Sequence, residues 1–206
     1  FGTGKSIKIN SKSIWAQRLS FVGELGYELY IQPNEANEIY KLIVEKGKKF
    51  KLSHCGMHAL DTMRMESGFL HWGHDISPEE NQYQAGLSFA VSFKKNVEFI
   101  GKQALEKIRN DKITRRFGMF VFKDSKPGKP LLLHEEPIYL DDKIIGKTTS
   151  GNFSFNYNKN LSFGYISTSL YNEELQNKKL YIEVEKQKYE VNILLKPLKN
   201  TKFKVI

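Results

Sequence analysis

The sequence contains one cysteine, Cys55, among 206 residues. That excludes an intrachain disulfide framework, and a lone thiol fits a reducing compartment, read here as the cytoplasm. No apolar run approaches the roughly 18 residues that a membrane-spanning helix needs, so integral insertion through helices is not expected. Neither H-E-x-x-H nor a paired C-x-x-C occurs, which removes the most specific zinc signatures. Alanine appears only six times. The chain opens on Phe1-Gly2-Thr3-Gly4, with no initiator methionine and none of the basic and apolar regions of a secretory leader. The expectation is an internal start, the tail of something longer.

Positive charge is present in excess, with a net charge of +9 at pH 7. A basic surface attracts phosphate, which raises the question of nucleic acid. The type and distribution of the charge argue against it. Of 32 basic residues only Arg18, Arg64, Arg109, Arg115 and Arg116 are arginine, whereas base-edge contacts favour the guanidinium fork. Up to Lys112 there are 16 basic and 13 acidic residues, and beyond it 16 and 10. The excess is spread along the chain, and neither a nucleic-acid nor a membrane partner is expected.

Apolar alternation predicts strands at 6–10 and 14–21, joined as a hairpin, and a further strand at 24–31. In that third strand Leu25, Tyr27, Leu29 and Ile31 would share one face, and Glu24, Glu28 and Tyr30 the other. Pro33-Asn34 breaks the strand and offers an N-cap to a helix carrying Ala36, Ile39, Tyr40, Ile43 and Val44 on one stripe, with Gly47 near its end. A second helix is expected at 58–67, burying Ala59, Leu60 and Met63 and stopping at Gly68. A third at 102–110 would turn Ala104, Leu105 and Ile108 inward. After Asp111 the helical period disappears. Short alternations at 116–122, 136–140, 143–149, 162–166, 179–185 and 188–194 suggest an antiparallel barrel, with tight turns at Asp141-Asp142 and at Gln187. The fold class is therefore α+β, with a mixed region at 1–112 followed by a small antiparallel β-barrel at 113–206.

Several residues could carry chemistry. Glu28, beside a glycine bend and a tyrosine, could accept two hydrogen bonds from a heterocycle, or could be a solvated acid on the wet side of a strand. His54, His58, His71 and His74 fall within 21 residues, and the i, i+4 pair with a second pair is in principle a zinc arrangement, but His54 is expected in a loop before the helix and no metal site is assigned. Trp72-Gly73-His74-Asp75 could line a pocket or anchor a packed loop. Cys55 has no partner base to make it a nucleophile. Thr148-Thr149-Ser150-Gly151 reads as a strand ending in a polar turn, and Asp61, Arg64 and Glu66 as ion-pair partners on one helix.

Five stretches occur in a telling order: Phe21-Val-Gly-Glu-Leu-Gly-Tyr-Glu-Leu-Tyr30, Ala59-Leu-Asp-Thr-Met-Arg-Met-Glu-Ser-Gly68, His71-Trp-Gly-His-Asp-Ile76, Phe99-Ile-Gly-Lys-Gln-Ala-Leu105 and Gly146-Lys-Thr-Thr-Ser-Gly151. Together they resemble the glycine cleavage T-protein (aminomethyltransferase) family, most closely the C-terminal folate-binding half of dimethylglycine and sarcosine dehydrogenases. The resemblance implies the C-terminal two-thirds of a T-protein-like fold that binds tetrahydrofolate and forms 5,10-methylenetetrahydrofolate. The one-carbon unit would derive from a methylated amine, and FAD would enter only through an upstream flavin domain. It also implies that Glu28 binds the pterin, with Tyr30, Phe21 and Phe89 beside it. The catalytic aspartate of the family would lie upstream of this chain, in the remainder of the protein, so no catalytic residue is assigned. Phe21, Phe89 and Leu60 replace two tyrosines and an arginine of relatives. The alternative implied by those replacements is a non-catalytic module with the same fold that has lost folate.

Overall fold

Apolar residues at every second position commit the first segment to strands. In the computed structural model, which describes residues 2–95, 97–111, 113–167, 175, 178–194 and 196–198, β1 (Gly4–Ile9) and β2 (Lys12–Gln17) form an antiparallel hairpin. Its two-residue turn begins at Asn10 in the left-handed region, a conformation that asparagine tolerates. Ile14 and Ala16 of β2 are buried. The third strand, β3, is only Glu28–Tyr30 and pairs with the other edge of β2. It is shorter than the alternation suggested. Residues 21–25 form bends, and Leu25 and Tyr27 are exposed instead of sharing a buried face with Leu29.

Helix α1 (Ala36–Gly47) buries Ile39 and half-buries Ile43 and Val44, while Ala36 and Tyr40 stay exposed. Its N-cap is Glu35, without a side-chain cap, so Asn34 does not take that role. Lys12 instead ties the first turn to β2 through Glu38 at 2.9 Å and Glu35 at 3.6 Å. Helix α2 (Met57–Glu66) reverses the expected face: Thr62, Arg64, Met65 and Glu66 are buried, Leu60 and Met63 half-buried and Ala59 exposed. Helix α3 (Lys102–Asn110) half-buries Leu105 and Ile108, and Ala104 is exposed. Among the described residues no helix is long and apolar enough to cross a membrane.

The remaining strands, β4 (Arg115–Phe122), β5 (Pro137–Leu140), β6 (Lys143–Ser154), β7 (Lys159–Ser167), β8 (Leu180–Val184) and β9 (Gln187–Leu194), close into an antiparallel barrel of order β4-β7-β6-β5-β8-β9. All six expected strands are present, and β6 runs five residues longer than expected. Asp141-Asp142 makes the β5–β6 turn. The β8–β9 turn is Glu185-Lys186, both with positive φ, and Gln187 already pairs with Val184. Strand alternation divides the apolar residues. Phe120, Phe122, Ile138, Ile166, Ile182 and Val191 belong to the interior cluster. Met119, Leu161 and Phe163 face outward and are covered by Met65 of α2. The outer apolar stripe of the barrel is thus what α2 packs on.

Strands β6 and β7 approach very closely at two glycines. A Cβ on Gly146 would lie 1.9 Å from the Tyr165 carbonyl oxygen, and one on Gly164 2.5 Å from the Lys147 carbonyl oxygen. Three residues beyond Gly146, a bulge at Thr149 breaks the alternation of β6. Gly146→Ala should therefore push the two strands apart and lower the unfolding free energy by about 1–3 kcal/mol or more. Urea denaturation followed by circular dichroism measures this, and an unchanged midpoint would contradict the close approach.

Candidate functional site

Directly opposed residues of antiparallel strands point to the same side. Glu28 pairs with Gln17 and Tyr30 with Trp15, so these four share the sheet face opposite Ile14 and Ala16. The Tyr30 hydroxyl donates to Glu28 Oε2 at 2.7 Å, and that bond to the carboxylate raises the Tyr30 phenol above its ordinary pKa. Both side chains are exposed. Trp15, 48% exposed, leans over Gly4, where a Cβ would meet its ring at 2.4 Å. The sequence reading missed Trp15. The burial of Ile14 and Ala16 implies that it points outward, but only the strand register puts it beside Tyr30.

Phe21 and Phe89 come together in the lining of one cavity of about 640 Å³, with Phe69, Leu70, Phe117 and Met119 among its other walls. Phe21 stacks on Phe69 with ring centroids 6.3 Å apart. Phe89, on the short turn Ser88–Ala90, remains largely exposed. Arg116 and Lys196 also line the cavity and add positive charge to it. Glu28 and Tyr30 do not line it. The structure therefore divides the four expected binding residues between a sheet face and a cavity, linked by the eight-residue stretch from Phe21 to Glu28.

A buried polar cluster reaches the Phe69 wall of the cavity; of its contacts, only the Asp61–Arg64 ion pair on one helix was expected. Arg64 donates from Nε to Asp61 Oδ1 at 2.7 Å, from Nη1 to the Phe69 carbonyl at 3.1 Å and to the Asp75 carboxylate, and from Nη2 to Ser150 Oγ at 2.9 Å. Asp75 also accepts from the His71 amide at 2.9 Å, Thr149 Oγ1 at 2.6 Å and Ser150 Oγ at 2.8 Å. Consecutive residues of a regular strand point to opposite faces; the bulge at Thr149 lets both neighbours reach one carboxylate. Glu66 is not an ion-pair partner within the helix. It accepts from Ser154 Oγ at 2.5 Å and Asn156 Nδ2 at 2.7 Å, across the barrel surface. The 148–151 stretch lies inside β6 and does not end a strand.

A smaller, polar cavity of about 370 Å³ adjoins this cluster, lined by His74, Glu80, Arg115, Lys147, Thr149 and Tyr165 among others. Arg115 bonds Glu80 at 2.6 Å and lies over the Tyr165 ring. The Tyr165 hydroxyl donates to the Asp75 carbonyl oxygen at 2.8 Å. Burial first, then the nearby Glu80 and Asp75 charges, push its phenol well above the ordinary range.

The histidines separate. His71 and His74 stack at 4.6 Å, whereas His54 bonds the Tyr40 hydroxyl at 2.8 Å. Among the described residues no group of three His, Cys, Asp or Glu is placed to hold a metal ion. Cys55 is exposed, as is Trp72 on the loop between His71 and Ile76.

Because the folded state holds the Tyr165 proton more tightly than the unfolded chain does, this residue's contribution is complete below the unfolded phenol pKa and is lost as pH rises above about 10. Urea titrations at several pH values should show stability falling between about pH 10 and 12, with a shallower fall in Tyr165→Phe. Equal slopes in the two proteins would contradict the shift.

Comparison with known proteins agrees with this architecture. Residues 1–95 match the family model for the GCVT N-terminal domain, and residues 115–199 that for the glycine cleavage T-protein C-terminal barrel domain. The chain is 33% identical to human mitochondrial sarcosine dehydrogenase over 81% of its own length and 18% of that protein. It is 32% identical to mouse mitochondrial dimethylglycine dehydrogenase over 94% and 22%. With an aminomethyltransferase of Symbiobacterium thermophilum it shares 30% identity over 81% of this chain and 44% of that one. The chain thus spans about a fifth of the dehydrogenases and less than half of that aminomethyltransferase. A crystal structure of the glycine cleavage system aminomethyltransferase T from Bartonella henselae superposes with a TM-score of 0.76 at 20% identity, covering 91% of this chain and 50% of that one, which shows the shared fold. With an N-terminal-domain match followed in order by a barrel match, the chain belongs to the glycine cleavage T-protein (aminomethyltransferase) family.

Proposed function

We propose that this chain is the tetrahydrofolate-binding portion of a one-carbon transferase, within a longer protein resembling dimethylglycine or sarcosine dehydrogenase. The observation that carries the reading is the Glu28 carboxylate, held by the Tyr30 hydroxyl on an open sheet face. An ionised carboxylate accepts two parallel N–H donors, and the edge of a reduced pterin presents such donors. Phe21, Phe89 and their neighbours add an apolar cavity within the size range of small-molecule sites. The residues present therefore fit the ligand that the family resemblance implies.

In this reading Glu28 orients the ring, and the aromatic cavity excludes water from the part of the ligand it covers. Arg116 and Lys196 favour an anionic ligand such as one with a carboxylate tail. Bound tetrahydrofolate supplies the nitrogens that take up the one-carbon unit. The methylated-amine donor, the catalytic carboxylate and any flavin belong to the remainder of the longer protein. The division into a folate-binding region at 1–112 and a barrel at 113–206, and a place in the cytoplasm, are part of the same proposal.

Calorimetric titration with tetrahydrofolate tests it. The wild-type chain should bind, and Glu28→Gln should weaken binding by about 1.5–3 kcal/mol, the worth of hydrogen bonds to a charged group. Binding unchanged by that substitution would remove Glu28 from the site. A wild-type chain that takes up no tetrahydrofolate would overturn the folate reading and favour a non-catalytic module.

A further inference from the structure

Arg64 is 1% exposed and Asp75 1%, yet the residues that would touch the proposed ligand lie elsewhere. A buried ion pair is weak evidence for stability, because desolvating two charges offsets much of their attraction. The partners of this pair suggest a further role. Arg64 lies on α2, and its Nη1 bonds the carbonyl of Phe69, a wall of the apolar cavity that stacks on Phe21. Asp75 lies at the far end of the loop that starts at Phe69 and fixes its middle through the His71 amide. Apart from the bond to Asp61 on the same helix, the other bonds of the pair run to Thr149 and Ser150, on the bulge of β6. The loop at residues 69–76 is therefore held at its start, middle and end by one ion pair, and that pair is bolted to the barrel. Leu70 and Ile76 of the same loop also line the apolar cavity, and His74 lines the polar one.

We infer that the Arg64–Asp75 pair is a positioning device: through the loop at residues 69–76 it sets the aromatic wall of the cavity against the barrel. The bulge is its fixed point. Without the extra residue in β6, Thr149 and Ser150 would point to opposite faces and only one could reach Asp75. Lysine cannot replace the guanidinium, because a point charge on a single nitrogen cannot serve Asp61, Asp75, Phe69 and Ser150 in the observed fork.

The inference rests on the proposed folate reading for its ligand, but the position of the loop can be followed without ligand. The chain has two tryptophans, Trp15 and Trp72, and Trp72 sits on the loop. In a Trp15→Phe background, Trp72 emission and its quenching by acrylamide report the loop directly. Arg64→Lys and the milder Thr149→Val, which removes one donor to Asp75, are compared with that parent in the full chain. Measurements are made at a temperature where circular dichroism shows each protein folded. A positioning role predicts a shifted Trp72 spectrum and altered quenching in both variants. It also predicts tetrahydrofolate affinity weakened roughly tenfold in Arg64→Lys and several-fold in Thr149→Val. A lowered urea midpoint with Trp72 emission and affinity unchanged would overturn the inference and leave the pair a structural contact. If Arg64→Lys does not fold, Thr149→Val decides by the same two readouts. If the wild-type chain binds no tetrahydrofolate, the folate reading fails, and the Trp72 spectra of the variants still decide whether the pair sets the loop.

Discussion

A guanidinium and a carboxylate removed from water at the junction of helix and barrel demand that nearly every donor and acceptor be met. Arg64 and Asp75 meet the demand by recruiting a helix neighbour, a loop carbonyl, a loop amide and two hydroxyls of one strand. Charge-assisted bonds of this kind are directional, so the pair dictates where each partner must stand. The α2 helix, the loop after it and the bulged strand are thereby fixed relative to one another. Apolar packing of Met65 on Met119, Leu161 and Phe163 supplies non-directional attraction over the same interface. Polar geometry sets the register of that contact, and burial supplies its drive.

The cavity follows from that arrangement. Its walls come from the bend containing Phe21, the loop after α2, the turn around Phe89 and the outer face of β4. None of these would define a pocket alone, since bends and loops have few backbone bonds of their own. The Ser67 hydroxyl, at the end of α2, donates to the Val22 carbonyl at 3.4 Å and ties the first of these segments to the helix. The sheet face with Glu28, Tyr30 and Trp15 depends instead on the β2–β3 register. Two separately held surfaces thus flank the bends at residues 21–25.

The barrel and its Asp141-Asp142 turn were legible because period-two alternation and turn chemistry are local signals. The strands at 116–122 and 188–194 are recovered almost to the residue as β4 and β9. The buried face of α2 was not legible. Apolar patterning selects Ala59, Leu60 and Met63, but the helix turns Arg64 and Glu66 inward because Asp75, eleven residues on, and barrel partners 86 to 90 residues away satisfy them. Such partners leave no mark at helical spacing. The bulge was equally hidden, since Thr-Thr-Ser reads as a polar turn until the register with β7 is known. Glu28 could be singled out from its glycine-rich setting and the family resemblance, whereas Trp15 needed the cross-strand pairing.

Closure of the barrel has a temporal consequence. The final pairing, β4 with β9, joins residues about seventy positions apart, and the anchors of α2 reach almost ninety positions ahead to Ser150, Ser154 and Asn156. During synthesis the amino-terminal half leaves the ribosome before the barrel partners of Arg64 and Glu66, Ser150, Ser154 and Asn156, have been translated. Such distant contacts form slowly because a long loop must close first. The interface that shapes the cavity is therefore among the last parts of the molecule that can assemble, and a nascent chain halted before β6 has no scaffold on which to build it.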